Sequence, residues 1–191
     1  MPTWHLEAVN REYFQRYCDR GPYADLWLEH SGAANCVATL RRNREPVHSA
    51  VVLGAATGQV LGYLERGLGA RVSGCELSRW AHARIPARRR RRVERADLRR
   101  FVPRLAREGA RFDLVFTSAL IYVSAREVGA VLADCARIAR LFHFYSSTSE
   151  DHEPGDRWRR TLRTRAWWRA QFVANGWVAT RSPYLWRNAS G

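Results

Sequence analysis

Five small residues in a row, Gly54-Ala55-Ala56-Thr57-Gly58, close a short apolar run. Residues of this size let a backbone turn tightly and approach a ligand closely, and a helix directly after them offers its N-terminal amides. A loop of this kind also arises in α/β folds for packing alone, so the residues beyond it carry weight. Glu76 stands 18 residues beyond Gly58 and comes directly after a second, otherwise apolar run. An acid at that point can accept both hydroxyls of a ribose; a surface glutamate is the plainer alternative. Asp97 stands a further 21 residues along. There a carboxylate can meet an adenine amino group, cap the next helix, or do both.

Elements of alternating type must hold these residues. Residues 4–18 and 24–41 carry apolar groups at helical spacing, with a break at Gly21-Pro22 between them. From there the pattern changes. Residues 50–53 read as a buried strand, 59–67 as a helix, and 70–75 as a second strand followed by Ser78 as a helix cap. Residues 92–95 make a weaker third strand before a helix at 98–107; 112–118 a fourth strand; 125–138 an amphipathic helix; and 141–145 a fifth strand. A long helix rich in Arg and Trp is expected over 157–175, then a closing hairpin of 177–180 and 184–187. Strand–helix alternation of this sort gives parallel strands with helices on both faces, and ligands sit outside the carboxyl ends of the strands. A chain of 191 residues suits one domain, and 46% hydrophobic content excludes general disorder. The expected layout is a single domain over 1–191: a helical lid segment at 1–47 and an α/β core at 48–191.

The charge is 32 − 18 = +14, and every one of the 32 basic residues is arginine. Arginine suits phosphates and carboxylates, and a GC-rich genome also favours its codons; either way an anionic partner is attracted. Cys18, Cys36, Cys75 and Cys135 are far apart, with no CxxC pair. That spacing argues against a zinc site or a disulfide-stapled domain and predicts small buried apolar groups; no metal is expected. With no apolar signal core and no membrane-length run, a soluble, cytoplasmic protein with no membrane partner is expected.

The ordered set VVLGAATG, GCELS, RADLRRF and FDLVFTSALIYV resembles the class I S-adenosylmethionine-dependent methyltransferases, over about residues 48–187. The resemblance implies a three-layer, doubly wound, mostly parallel seven-stranded sheet with helices on both faces and a reversed last hairpin. It implies S-adenosyl-L-methionine as cofactor. Gly54, Ala56 and Gly58, with Ala55 and Thr57 in the same loop, would pass its amino-acid part. Glu76 would hold the ribose with Leu77 beside the adenine, and Asp97 and Leu98 would reach the adenine. The segment from Ser118 to Tyr122 would line the methionine side and the acceptor. Tyr13, Tyr17 and Tyr23 resemble the lid that covers the cofactor in small relatives. Two departures stand out: Val52 holds a place where the family often has an acid, and Ala56 replaces the middle glycine. The GxGxxG fingerprint of a dinucleotide-binding Rossmann fold is absent, since residues 54–59 read GAATGQ.

The acceptor is open to reasoning from what is missing. No DPPY-like sequence follows the fourth strand and no Pro-Cys pair occurs, which argues against DNA base methylation through those motifs. Among candidate bases, His82 is expected on a solvent-facing helix surface and His143 in a packed sheet face. His152, in the polar loop after the fifth strand, suits a histidine base titrating near neutrality. Tyr122 suits orienting the acceptor by a hydrogen bond. Tyr122 and His152 are therefore the expected catalytic pair. The expected acceptor is an oxygen or nitrogen of a small molecule or peptide, in specialised metabolism. RNA is the alternative, resting on the net charge and the run Arg88–Arg92. A cofactor-binding partner without activity is a third reading.

Overall fold

The computed structural model describes Phe14 and residues 31–146, 148–151 and 158–190. In chain order the elements are α1 (Ala33–Arg42), β1 (Ser49–Leu53), α2 (Gln59–Leu68), β2 (Arg71–Glu76), α3 (Arg79–Arg84), α4 (Ala87–Arg90) and β3 (Val93–Arg95). Then come α5 (Leu98–Arg107), β4 (Phe112–Thr117), a 3-10 turn (Ala119–Tyr122), α6 (Ala125–Ile138), β5 (Ala139–Phe144), α7 (Arg165–Ala174), β6 (Trp177–Ala179) and β7 (Leu185–Asn188). The sheet has seven strands in the order β3-β2-β1-β4-β5-β7-β6. Strands β1 to β5 run parallel, and β7 lies antiparallel to both β5 and β6. This is the sheet and the reversed hairpin that the methyltransferase resemblance implies.

Burial on both faces explains why the central strands read as unbroken apolar runs. In β1, Val51 and Leu53 face one layer, where α5, α6 and α7 supply Phe101, Val128, Leu132 and Phe172. Ala50 and Val52 face the other, where α1 and α2 supply Val37, Leu40, Leu61 and Leu64. Phe142 of β5 meets Phe172 and Trp177 edge-on, each with ring centroids 5.2 Å apart. The Trp177 indole N–H donates to the Leu132 carbonyl at 3.0 Å, which satisfies the one polar atom of a fully buried ring. Cys36, Cys75 and Cys135 are free and buried in this core, and burial pushes all three thiols up. Cys18 lies outside the described residues.

The strand order reverses between β1 and β4, so the crevice for a ligand opens at their carboxyl ends. The opposite, amino ends are locked by charge. Asp113 of β4 accepts the backbone amides of His48 and Ser49 at 2.8 and 2.9 Å and the Arg140 Nε at 3.1 Å. Glu45 pairs with Arg140 of β5 and Arg187 of β7.

Several boundaries differ from the sequence expectation. Among the described residues of the expected 157–175 helix, only Arg165–Ala174 are helical. The amides of Arg160 and Thr161 both donate to the Ile121 carbonyl, at 2.8 and 2.9 Å, and the Thr161 hydroxyl donates to Val123 O at 2.6 Å. Those bonds tie the segment to the turn after β4 and withdraw its amides from a helix; Thr164 then caps α7 by accepting from the Trp167 amide. Strand β2 extends one residue further than expected, making Glu76 its last residue. Strand β5 begins earlier, at Ala139, and stops at Phe144. The expected 4–18 helix lies outside the described residues apart from Phe14. Of the expected 24–41 helix, the described part is α1. Among the described residues no helix is long and apolar enough to cross a membrane.

Candidate functional site at the strand switch point

The loop after β1 is built from left-handed backbone. Gly54, Ala56 and Gly58 have φ of 81°, 48° and 84°. For Gly54 a side chain is excluded on space as well, since a Cβ there would stand 2.8 Å from the Ala119 Cβ. The Gly54 and Ala55 amides both donate to the Cys75 carbonyl at 3.0 Å, which folds the loop back onto β2. Gly58 then opens α2 with no side chain capping the helix, leaving its first-turn amides to face the crevice. A Cβ at Gly58 would meet the Ile85 Cγ2 at 2.8 Å. Ala55 is buried beneath the loop and Thr57 is half-buried. Alanine at position 56 carries a steric cost on the order of 1 kcal/mol for its left-handed backbone.

Glu76 explains how that conformation is held. Its side chain is buried, with 6% of the residue exposed, which disposes of the surface-glutamate alternative. Oε2 accepts the Ala56 amide at 2.7 Å and Oε1 accepts the Ser78 amide at 2.7 Å. Burial pushes the carboxyl up to about 7, against the amide hydrogen bonds, which favour the ionised form. One carboxylate thus links the end of β2 to the glycine loop. Leu77 comes next and is half-buried, and the Ser78 hydroxyl caps α3 by accepting from the Ala81 amide at 3.2 Å.

Asp97 takes the capping role left open for it. Its side chain accepts the Arg99 amide at 2.9 Å at the start of α5, where Leu98 is the first helical residue. The same carboxylate is held by the Arg99 guanidinium, at 2.6 Å for the closest pair, and Arg99 reaches across to Glu127 at 3.0 Å. Burial raises the Asp97 carboxyl, but the Arg99 guanidinium and amide hold it below its ordinary value. Reading the sequence missed Arg99, because an arginine in the first turn of a helix has no pattern that separates it from a solvated one.

The loop after β4 meets the glycine loop at the switch point. The Thr117 hydroxyl donates to the Leu53 carbonyl at 2.7 Å and accepts the Ala119 amide at 2.8 Å. Ser118 is half-buried beside it. Tyr122, at the end of the 3-10 turn, packs with Trp80 and Trp158 against a buried cluster of Phe14, Ala56 and Ala81. Phe14 stacks on Trp80 with centroids 5.7 Å apart, and the Arg84 guanidinium covers a Trp80 ring face at 3.5 Å from the centroid. These aromatic rings and Ala56 of the glycine loop therefore share one cluster. No spacing signal in the sequence connects Phe14, Trp80 and Trp158, which are brought together only by the fold.

The histidines separate. His143 is fully buried, stacked on Phe116 at 5.3 Å, with Nε2 bonded to the Asn35 Oδ1 at 3.3 Å. Burial lowers it to about 3, so it stays neutral, as a packed sheet-face histidine does. His82, expected to face solvent, is half-buried, and its Nε2 bonds the Val93 carbonyl at 2.8 Å, tying α3 to β3. His152, Tyr13, Tyr17 and Tyr23 lie outside the described residues. The chain just before His152 is anchored: the Thr148 amide and hydroxyl donate to Asp151 Oδ2, and Arg165 donates to Asp151 Oδ1 at 2.6 Å. Among the described residues no group of His, Cys, Asp and Glu is arranged to hold a metal ion.

No protein-family model and no curated protein sequence matches the chain. Solved structures do. DesVI from Streptomyces venezuelae is similar at TM-score 0.64 and 18% identity, covering 86% of this chain and 95% of that one. The sugar N-methyltransferase KedS8 from Streptoalloteichus is similar at 0.63 and 17%, covering 93% and 91%. The magnesium protoporphyrin IX methyltransferase ChlM from Synechocystis, with bound S-adenosylhomocysteine, is similar at 0.65 and 17%, covering 96% and 94%. At these identities the likeness is one of fold.

Proposed function

We propose that this chain, which has the class I methyltransferase fold, is an S-adenosylmethionine-dependent methyltransferase. Its acceptor is an oxygen or nitrogen of a small molecule or peptide, in specialised metabolism. The observation that carries the reading is the buried Glu76 carboxylate at the end of β2, joined to the left-handed loop at the Ala56 amide. The residues fit such a cofactor. Glu76 accepts ribose hydroxyls with the lone pairs its two amide bonds leave, and Asp97 with the Leu98 amide takes the adenine edge. There the adenine shares Asp97 with Arg99. Gly54, Ala56 and Ser118 border the amino-acid part.

When bound, S-adenosylmethionine supplies a sulfonium methyl group that is attacked in line by the acceptor. The chain's own contribution is alignment, exclusion of water and, for an acceptor that must shed a proton, a base. Phe14, Trp80, Tyr122 and Trp158 pack in one cluster with Ala56 of the loop and shield it from water. Tyr122 orients the acceptor through its hydroxyl, and His152, next to the Asp151 anchor, takes the proton. The small-molecule acceptors named for KedS8 and ChlM support an acceptor of that size here.

The test is turnover to S-adenosylhomocysteine against a panel of amino sugars, phenols and short peptides. His152→Ala should lower turnover by about 10²–10⁴-fold with cofactor affinity nearly unchanged. Tyr122→Phe should cost about 1 kcal/mol, one hydrogen bond's worth. Full activity in His152→Ala removes that residue from the mechanism. Cofactor binding without turnover on any acceptor would favour a binding partner instead.

A further inference from the structure

The arginine run divides on inspection of its partners. Arg89 and Arg92 both pair with Glu65 of α2, and Arg89 lies over Gly62, where a Cβ would meet its guanidinium carbon at 2.6 Å. Those two are structural. Arg88 and Arg91 are exposed, as are Arg90, Arg84 and Arg79 on the same pair of short helices. Among the described residues none of the five ends in an ion pair: Arg90 and Arg84 donate only to the backbone carbonyls of Ala83 and Trp80. The acids nearby are already taken, Glu65 by Arg89 and Arg92, Glu94 by Arg104 and Asp97 by Arg99. Exposed arginines without an ion pair occur elsewhere among the described residues, as at Arg107, Arg126 and Arg169, but the stretch from Leu77 to Val93 holds seven arginines and no acid. Codon preference scatters arginine through a sequence; it does not by itself remove every acid from one stretch.

We propose that this ridge on α3 and α4, beside the β3 edge, docks the phosphate backbone of double-helical RNA. The class of partner is set by what the ridge lacks. A protein interface needs an apolar centre, yet among the described residues the large exposed apolar side chains are Leu162, Val173 and Val178, all in the α7–β6 region. The sheet order puts β6 and β3 at opposite edges. Single strands bind by stacking bases on aromatic rings, but Trp80 lies between Phe14 and the Arg84 guanidinium. Reading the major groove of DNA takes a helix long enough to lie in it, and α3 and α4 have six and four residues. What remains is recognition of phosphates by shape, which is how A-form duplexes are bound across their wide minor groove. The proposal stands apart from the methyl-transfer reading, since its readout is binding and needs no cofactor.

The experiment is a fluorescence-anisotropy titration of the full chain with a labelled RNA duplex of about 20 base pairs, between about 50 and 200 mM salt. Some four phosphate contacts predict a loss of about 10²-fold across that range. In Arg79→Gln/Arg88→Gln/Arg91→Gln the salt slope should fall by about three and affinity by at least about tenfold. A control, Arg107→Gln/Arg126→Gln/Arg169→Gln, removes the same charge from exposed positions elsewhere and should bind as the parent does. Equal losses in both variants would assign binding to net charge and overturn the ridge. Equal or tighter binding of single-stranded RNA, duplex DNA or a polyglutamate peptide would overturn the choice of partner. Circular dichroism of each variant separates lost contacts from lost fold.

Discussion

Glu76 is pulled two ways: burial favours its neutral form, while the Ala56 and Ser78 amides favour the carboxylate. Two ribose hydroxyls donating to it add to the second pull, so cofactor binding should release a proton from the fraction of molecules protonated there. With the group at about 7, affinity for S-adenosylhomocysteine should rise from about pH 6 to about pH 8 and then level. In Glu76→Gln that dependence should vanish and affinity should fall by at least about tenfold, or about 1.4 kcal/mol. Calorimetry at several pH values, in buffers of different ionisation enthalpy, measures both. An unchanged pH profile in the variant would detach Glu76 from the cofactor. This acid was legible in the sequence because it follows an apolar strand at once. Its grip on Ala56 was not, since a positive φ at an alanine leaves no trace in composition.

The glycine loop works as a unit of three left-handed residues, of which only two are glycine. Gly58 has the least freedom to change: its backbone is strained for any L side chain, and a methyl group would press on Ile85. Gly58→Ala should destabilise the fold by about 1–3 kcal/mol and loosen the start of α2. Ala56→Gly should be close to neutral, because relief of strain offsets loss of a buried methyl. Thermal melts of the two variants side by side check the contrast; equal melts would mean the loop relaxes freely. The strand–helix alternation and the boundaries of α5 and α6 were readable from periodicity. The expected helix from residue 157 was not a sound reading, because periodicity scores side chains and ignores where amides go. The Arg160 and Thr161 amides go to Ile121, and that choice exists only once β4 and its turn are in place.

Across the whole molecule the two ends of the sheet do different jobs. The carboxyl ends carry the candidate site, while Asp113, Glu45, Arg140 and Arg187 clasp the opposite side, around β1, β4, β5 and β7. Burial raises the Asp113 carboxyl, but the His48 amide and the Arg140 guanidinium hold it below its ordinary value. A lowered carboxylate stabilises the fold at neutral pH, and that contribution is lost as pH falls below 3.8. Asp113→Asn should therefore cost about 1–3 kcal/mol at pH 7, and the gap to the parent should close in acid. Cofactor affinity should not move. Urea unfolding at about pH 7 and about pH 2 tests the first part and calorimetry the second; equal stability of parent and variant at neutral pH would refute the clasp. The insertion of β7 between β5 and β6 also dictates an order of events during synthesis. Strand β5 is complete by Phe144, but its second neighbour comes from Leu185–Asn188. Until those residues leave the ribosome, Leu141 and Phe142 stand on a bare sheet edge, the kind of edge that recruits other chains. A nascent chain stalled short of Trp177 should thus be a client for chaperones, which capture of ribosome-bound chains of that length would measure.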